Sequence, residues 1–171
     1  MELCATSSPN IDLRLALPSE AEYVYRVTEE TMRGYVEQTW GKWNEHEQRH
    51  RIAANIDSKT CSIISVGGTD VGVLDVERHP THILLARIFI TSDFQRRALG
   101  TRIIKRLIEE AVAEGKPLRL RVLRVNPARQ LYERLGFVVT ETTPERYYME
   151  FRGQREEKVR SAVQDKPKGA K

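Results

Sequence analysis

Between His82 and Val112 the chain reads HILLARIFITSDFQRRALGTRIIKRLIEEAV, and no other stretch constrains the fold as strongly. His82–Ile90 is almost continuously apolar, which predicts a central strand covered on both faces. From Leu99 the apolar spacing switches to that of a helix. Leu99, Ile103, Leu107 and Ala111 form one stripe, flanked by Ile104, Ile108 and Val112. Gly115 and Pro117 stop the helix. LRLRVLRV (Leu118–Val125) then alternates as a strand, so the segment predicts a βαβ unit.

The junction inside this unit has an unusual composition. Arg96, Arg97 and Gly100 stand where the helix begins. A helix start exposes unpaired N–H groups and a partial positive charge, so it attracts anions. Taken alone, the segment fits a bound phosphate and a solvated loop-to-helix junction about equally.

The flanking segments complete the order of elements. IDLRLAL (Ile11–Leu17) alternates as a strand, ended by Pro18. Ser19 and Glu22 match a capping box, which predicts a helix toward Gly34 with Ala21, Val24 and Val27 inward. Tyr35–Ile56 starts aromatic, breaks at Gly41 and continues as a polar second helix. CSIISVGG (Cys61–Gly68) and VGVLDVERH (Val71–His79) read as a hairpin turning at GGTD. PARQLYERLG is a short helix with Pro127 at its first position and Gly136 as its stop. FVVTETTPE and RYYMEF supply two last strands. The predicted order is β, α, α, β, β, β, α, β, α, β, β, a mixed α/β sheet with helices packed on it.

Bulk properties exclude some function classes. The chain has 171 residues, enough for one domain with a sizeable core. No apolar run is long enough to cross a bilayer, so no membrane partner is expected. MELCATSSPN lacks a secretion pattern, and Cys4 and Cys61 form no CxxC cluster, which together suggest a reducing, cytoplasmic setting. The net charge is +4, and Arg152–Lys171, with seven basic and three acidic residues, accounts for all of it. A neutral body argues against a nucleic-acid partner. We expect a tail over 1–10, a folded domain over 11–151, and a basic flexible tail over 152–171. His46 and His50 have i, i+4 spacing but no third ligand, so they read as a solvated helix face and no metal is expected.

Two motifs together point to a family. Gln95-Arg96-Arg97-Ala98-Leu99-Gly100-Thr101 resembles the Gln/Arg-x-x-Gly-x-Gly/Ala signature of the GCN5-related N-acetyltransferases (GNAT). Asn126-Pro127-Ala128-Arg129-Gln130-Leu131-Tyr132-Glu133-Arg134-Leu135-Gly136-Phe137 resembles that family's second segment, and the element order is similar over Ile11–Phe151. Ala98 stands where the family usually has its first glycine. If the backbone there needs φ > 0, alanine costs on the order of 1 kcal/mol.

The resemblance implies a mostly antiparallel central sheet with about four helices on both faces, splayed at two central strands. It implies acetyl-CoA as cofactor, with the pyrophosphate on N–H groups of Arg97, Ala98, Leu99, Gly100 and Thr101, Gln95 and Arg96 at the rim, and the pantetheine arm along Ile88, Phe89 and Ile90. Asn126 and Arg129 join the cofactor set, and Asn126 equally suits an N-cap before Pro127. Tyr132 would protonate the departing thiolate, or simply pack on the sheet.

The general base is less specified. Asp75, Glu77 and His79 share one face of a strand, which is either turned to the cleft, with Glu77 as the candidate base, or a solvated outer face; Glu37 is another candidate base. Tyr35, Glu37, Trp40, Trp43, Arg87, Tyr147 and Tyr148 are the candidate acceptor contacts, and the aromatics among them equally suit ordinary core under the helices. Arg87 interrupts an apolar strand and needs a partner, either a substrate carboxylate or an acid such as Glu37. Two classes of function follow. One is transfer of an acetyl group to a primary amine of a small molecule or peptide, by direct attack within a ternary complex of a monomer or homodimer. The other is a non-catalytic module that keeps the fold and binds coenzyme A.

Overall fold

The computed structural model describes residues 10–153. Both predicted tails therefore lie almost wholly outside the described residues. Seven strands order as β1-β2-β3-β4-β5-β7-β6. They are β1 (Ile11–Leu15), β2 (Cys61–Val66), β3 (Thr69–Arg78), β4 (Ile83–Ile90), β5 (Leu118–Leu123), β6 (Val138–Thr142) and β7 (Arg146–Phe151). The α-helices are α1 (Ala21–Trp40), α2 (Glu45–Asn55), α3 (Leu99–Glu114) and α4 (Ala128–Arg134). The order matches the sequence reading element for element. The described residues divide into two compact units, one of residues 10–77 and Leu85–Arg102, the other of Arg78–Leu84 and residues 103–153.

In the first unit β1 pairs antiparallel with β2, and β2 with β3. Period-2 alternation sends Cys61, Ile63 and Val73 to one face, where they pack with Val24, Tyr25 and Val27 of α1 and Ile52 of α2. Trp43 belongs to this core rather than to a pocket. Its indole N–H donates to the Tyr25 hydroxyl at 3.2 Å, and the Arg49 guanidinium covers the Tyr25 ring at 3.7 Å.

Two helix boundaries differ from expectation. Ser19 and Glu22 make no capping box. Pro18 tightens the chain into a 3-10 turn over Pro18–Glu20, which brings Glu20 within reach of Leu17. The Leu17 N–H donates to Glu20 Oε2 at 2.8 Å, and the Glu20 N–H returns a bond to the Leu17 carbonyl at 2.9 Å. Gly34 does not end α1 either. The helix runs to Trp40 and closes at Gly41, whose φ of 85° is left-handed. A lone mid-helix glycine costs about 1 kcal/mol, which the apolar face of a long helix outweighs.

One glycine is required by packing. A Cβ on Gly72 would lie 2.3 Å from the Phe89 carbonyl oxygen, so β3 and β4 approach there too closely for any side chain. The Thr91 N–H donates to the Val71 carbonyl at 2.9 Å and holds the same junction. β4 is less covered than its composition predicts, since only Ile83 and Leu85 are buried and the rest is half-buried.

In the second unit β7 pairs antiparallel with β5 and β6. Glu150 sits opposite Arg119, 4% exposed, and accepts from Arg119 at 2.6 Å and from Arg152. Burial pushes its carboxyl up, but the two guanidiniums outweigh burial and hold it below the usual carboxylate range. Phe137 packs on Tyr132 and on Phe151, with ring centroids 5.8 Å apart in each pair.

Gly72→Ala tests the close approach. We expect a loss of about 3 kcal/mol in urea unfolding, the upper range for overpacking, because a backbone oxygen cannot yield as a side chain does. A loss under about 0.5 kcal/mol would contradict the contact.

Candidate active site

The loop from Thr91 to Gly100 is held by its own polar groups. The Gln95 side-chain amide donates to the Ile90 carbonyl at 2.8 Å. The Ser92 N–H and hydroxyl both donate to Glu30 Oε1 of α1 at 2.7 Å. Gln95 therefore braces the loop against β4. Leu99, 2% exposed, plugs the start of α3 into the core. The first bond of α3 runs from the Arg102 N–H to the Ala98 carbonyl at 3.0 Å. The N–H groups of Leu99, Gly100 and Thr101 precede it and have no acceptor within the helix.

This helix start fits an anion. Its first turn carries no acidic residue, although acids are the usual complement of a helix N-terminus. Arg96 and Arg97 stand exposed instead, with the Arg97 guanidinium 4.7 Å from the Phe94 ring centroid. A Cβ on Gly100 would meet only Ile90 Cδ1, at 3.6 Å, an ordinary contact. The chain's own packing thus makes no demand for glycine here, and the bare backbone leaves room for a group outside the chain. Ala98 has φ 58° and Arg96 φ 59°, so the position expected to hold glycine does adopt the left-handed conformation, with alanine in it.

Ile88, Phe89 and Ile90 are half-buried on β4. The Phe89 carbonyl faces Gly72, the Ile90 carbonyl accepts from Gln95, and the Phe89 ring packs against the core of the first unit.

The second motif lies in the second unit. Asn126 stands just before α4, with its Oδ1 accepting from the Ala128 N–H at 2.9 Å, while Pro127 takes the N-cap position rather than the first helical one. Tyr132 is 9% exposed, and burial pushes its phenol up to about 12. It is therefore fully protonated through the neutral range. Arg129 pairs with Glu133 at 2.7 Å and lies 4.1 Å from the Tyr147 ring centroid. Arg124 meets the same ring at 5.5 Å, so a predicted cofactor residue and a predicted acceptor contact share one cluster.

The remaining acceptor candidates are dispersed. On α1, Tyr35 is half-buried, Trp40 is 47% exposed, and Glu37 pairs with Arg33 at 2.9 Å. Tyr148 is half-buried on β7, as is Glu77 on β3. Arg87 finds its acid in Asp75, not in Glu37, with Nε and Nη2 donating to Oδ2 at 3.0 and 2.6 Å. Strand register sets this pair: the Thr91 N–H, one residue past β4, donates to the Val71 carbonyl of β3, and four residues along from each stand Arg87 and Asp75. Among the described residues, no group of three or more His, Cys, Asp or Glu side chains is placed to hold a metal ion. No helix there is long and apolar enough to cross a membrane.

A seven-stranded, mostly antiparallel sheet with four helices is the fold of the GNAT class. The family profile described as the acetyltransferase (GNAT) domain matches residues 23–153, and the chain belongs to that family. Acetyl-CoA is the cofactor that membership assigns.

No curated protein matches the chain. Among solved structures, the PaiA N-acetyltransferase of Thermoplasma acidophilum in complex with coenzyme A is similar, with 17% identity and a TM-score of 0.64 over 84% of this chain and 99% of that one. An acetyltransferase from Thermus thermophilus gives 18% identity and a TM-score of 0.69 over 85% and 99%. The ribosomal-protein-S18-alanine N-acetyltransferase of Escherichia coli gives 20% and 0.62 over 84% and 94%. These likenesses establish the fold.

Ala98→Gly tests the loop conformation. Relief of the left-handed alanine should raise unfolding stability by up to about 1 kcal/mol, with coenzyme A affinity equal or tighter by calorimetry. A clear loss of either would contradict the assigned backbone.

Proposed function

We propose that the protein transfers an acetyl group from acetyl-CoA to a primary amine of a small molecule or peptide, by direct attack without a covalent enzyme intermediate. The observation that carries this reading is the helix start at Gly100. It has free N–H groups, two exposed arginines, no acid, and a glycine that the fold itself does not require. When bound, acetyl-CoA supplies an activated thioester. The chain's residues bind and orient it. Arg97, Ala98, Leu99, Gly100 and Thr101 offer N–H donors, and Arg96 and Arg97 add charge. Gln95 holds the loop in shape, and Ile88, Phe89 and Ile90 offer an extended backbone to the pantetheine arm. Asn126 and Arg129 complete the cofactor set.

Tyr132 holds a proton at Oη, available to a thiolate leaving group. Burial keeps that proton in place at neutral pH. Glu77 is the proposed base, acting directly or through a water. Tyr35, Glu37, Trp40, Arg87 and Tyr147 are proposed to line the acceptor side. Cys61, the one cysteine among the described residues, is buried, which argues against its acting as a nucleophile. Burial pushes Cys61 up, which keeps it in the unreactive thiol form.

Acetyl-CoA consumption with a panel of primary amines tests the activity. In Tyr132→Phe, kcat should fall at least about 100-fold, the lower range for general acid catalysis, while coenzyme A affinity stays within about twofold. An unchanged kcat would remove Tyr132 from the chemistry. No turnover with any amine would leave the fold without this activity.

A further inference from the structure

An edge strand presents a row of unpaired N–H and C=O groups that another strand can take up. β1 stands first in the sheet order, so among the described residues it has a strand neighbour on one side only, β2. It pairs with β2 in unbroken register over all of Ile11–Leu15. Within those residues there is no proline, no lysine and no bulge, the common guards of an exposed edge. β6, an edge strand of the second unit, does carry a register shift, between Val139 and Glu141.

The pairing with β2 decides which backbone groups of β1 face outward. Along an antiparallel strand, successive residues turn their N–H and C=O groups alternately toward and away from the partner. The Ala16 N–H donates to the Cys61 carbonyl at 3.0 Å, so Ala16, Arg14 and Asp12 are turned to β2. Ile11, Leu13 and Leu15 therefore offer their N–H and C=O groups at the open edge. Side chains alternate as well. Leu13 and Leu15 lie on one face, 45% and 53% exposed. Asp12 and Arg14 lie on the other, where Glu20 and Asp70 hold the Arg14 guanidinium at 2.7 and 2.8 Å.

A second β1 fits this edge. Strands related by a two-fold axis run antiparallel, and their open groups meet when Ile11, Leu13 and Leu15 face one another. Charge then selects the register, because like charges directly opposite destabilise a strand pair and opposite charges stabilise it. With Ile11 opposite Leu13, Asp12 would face its own copy. With Leu13 opposite Leu15, Arg14 would face its own copy, and Ile11 would face Leu17, whose N–H already donates to Glu20 Oε2 at 2.8 Å. With Leu13 on the axis, Leu13 faces Leu13, Ile11 faces Leu15, and Asp12 faces Arg14. Each apolar pair then exchanges two backbone hydrogen bonds, and the half-exposed leucines cover one another. We propose that β1 pairs with β1 of a second copy in this last register, joining two sheets across a two-fold axis. The interface stands independently of the reaction proposed above.

Two short strands and their leucines make an interface below the standard size, so the dimer is weak, with a dissociation constant of about 1–100 µM. Sedimentation velocity of the full chain across that range tests it, and we expect a shift from monomer to dimer. Leu13→Lys sets two ammonium groups on the axis, and Asp12→Arg sets arginines opposite Arg14. Both positions are exposed in the monomer, so the urea midpoint should not move, while dimerisation weakens at least tenfold in each. Should Leu13→Lys unfold the chain, Leu15→Lys takes its place with the same loss expected. Register is read by mild oxidation of Leu13→Cys in a Cys4→Ser background. Cα atoms of a hydrogen-bonded pair lie about 5.5 Å apart, within disulfide reach, so this variant should cross-link and Leu17→Cys should not. A monomer at every concentration, whether β1 stays bare or residues 1–9 cover it, would overturn the proposal. So would a dimer that survives these substitutions, or cross-linking through Leu17→Cys in place of Leu13→Cys.

Discussion

The contact between Gly72 and the Phe89 carbonyl sets the geometry of the first unit's functional end. With no side chain on Gly72, β3 and β4 close to a separation that a Cβ would forbid. The Thr91 N–H then reaches Val71, and β4 ends at a defined residue. Where β4 ends decides where the loop begins, and Gln95, folded back on Ile90, decides its width. The start of α3, with its free N–H groups, follows from that sequence of constraints. The left-handed backbone at Arg96 and Ala98 belongs to the same turn, so the loop stores local strain at the place proposed to hold a pyrophosphate.

Burial divides the remaining polar groups by task. Glu150 is buried with two guanidiniums on it, and its charge is retained. Tyr132 is buried with aromatic neighbours, and its proton is retained. Asp75 is buried with one oxygen satisfied and the other not. The first arrangement favours a fixed structure, and the second keeps a protonated phenol at neutral pH.

The order of elements was legible because helix and strand periods differ so clearly here. Leu99–Ala111 and Leu118–Val125 each show one period without conflict, and His82–Ile90 is a short apolar run bounded by turn residues. Boundaries were less legible. Gly34 carries the signature of a stop, but a helix with a buried face continues through a single glycine, and only at Gly41 does the backbone turn left-handed. Ser19 and Glu22 have capping-box spacing, yet Pro18 shifts the turn and gives the capping role to Glu20. For the candidate site, the loop and Tyr132 could be proposed from local sequence because their motifs are contiguous. The partner of Arg87 could not, because it depends on strand register. Composition left Trp43 open between a pocket and the core, and its place depends on how the chain turns between α1 and α2, bringing the indole onto Tyr25.

The central claim is that the helix start at Gly100 holds coenzyme A. Calorimetric titration of coenzyme A into the wild-type protein and into Gly100→Val tests it most directly. A valine Cβ meets only Ile90 at an ordinary distance, so unfolding stability should change by no more than about 1 kcal/mol. Saturable binding by the wild type, weakened at least tenfold in an equally stable Gly100→Val, is the predicted result. Absence of binding to the wild type, or equal affinity in the variant, would contradict it.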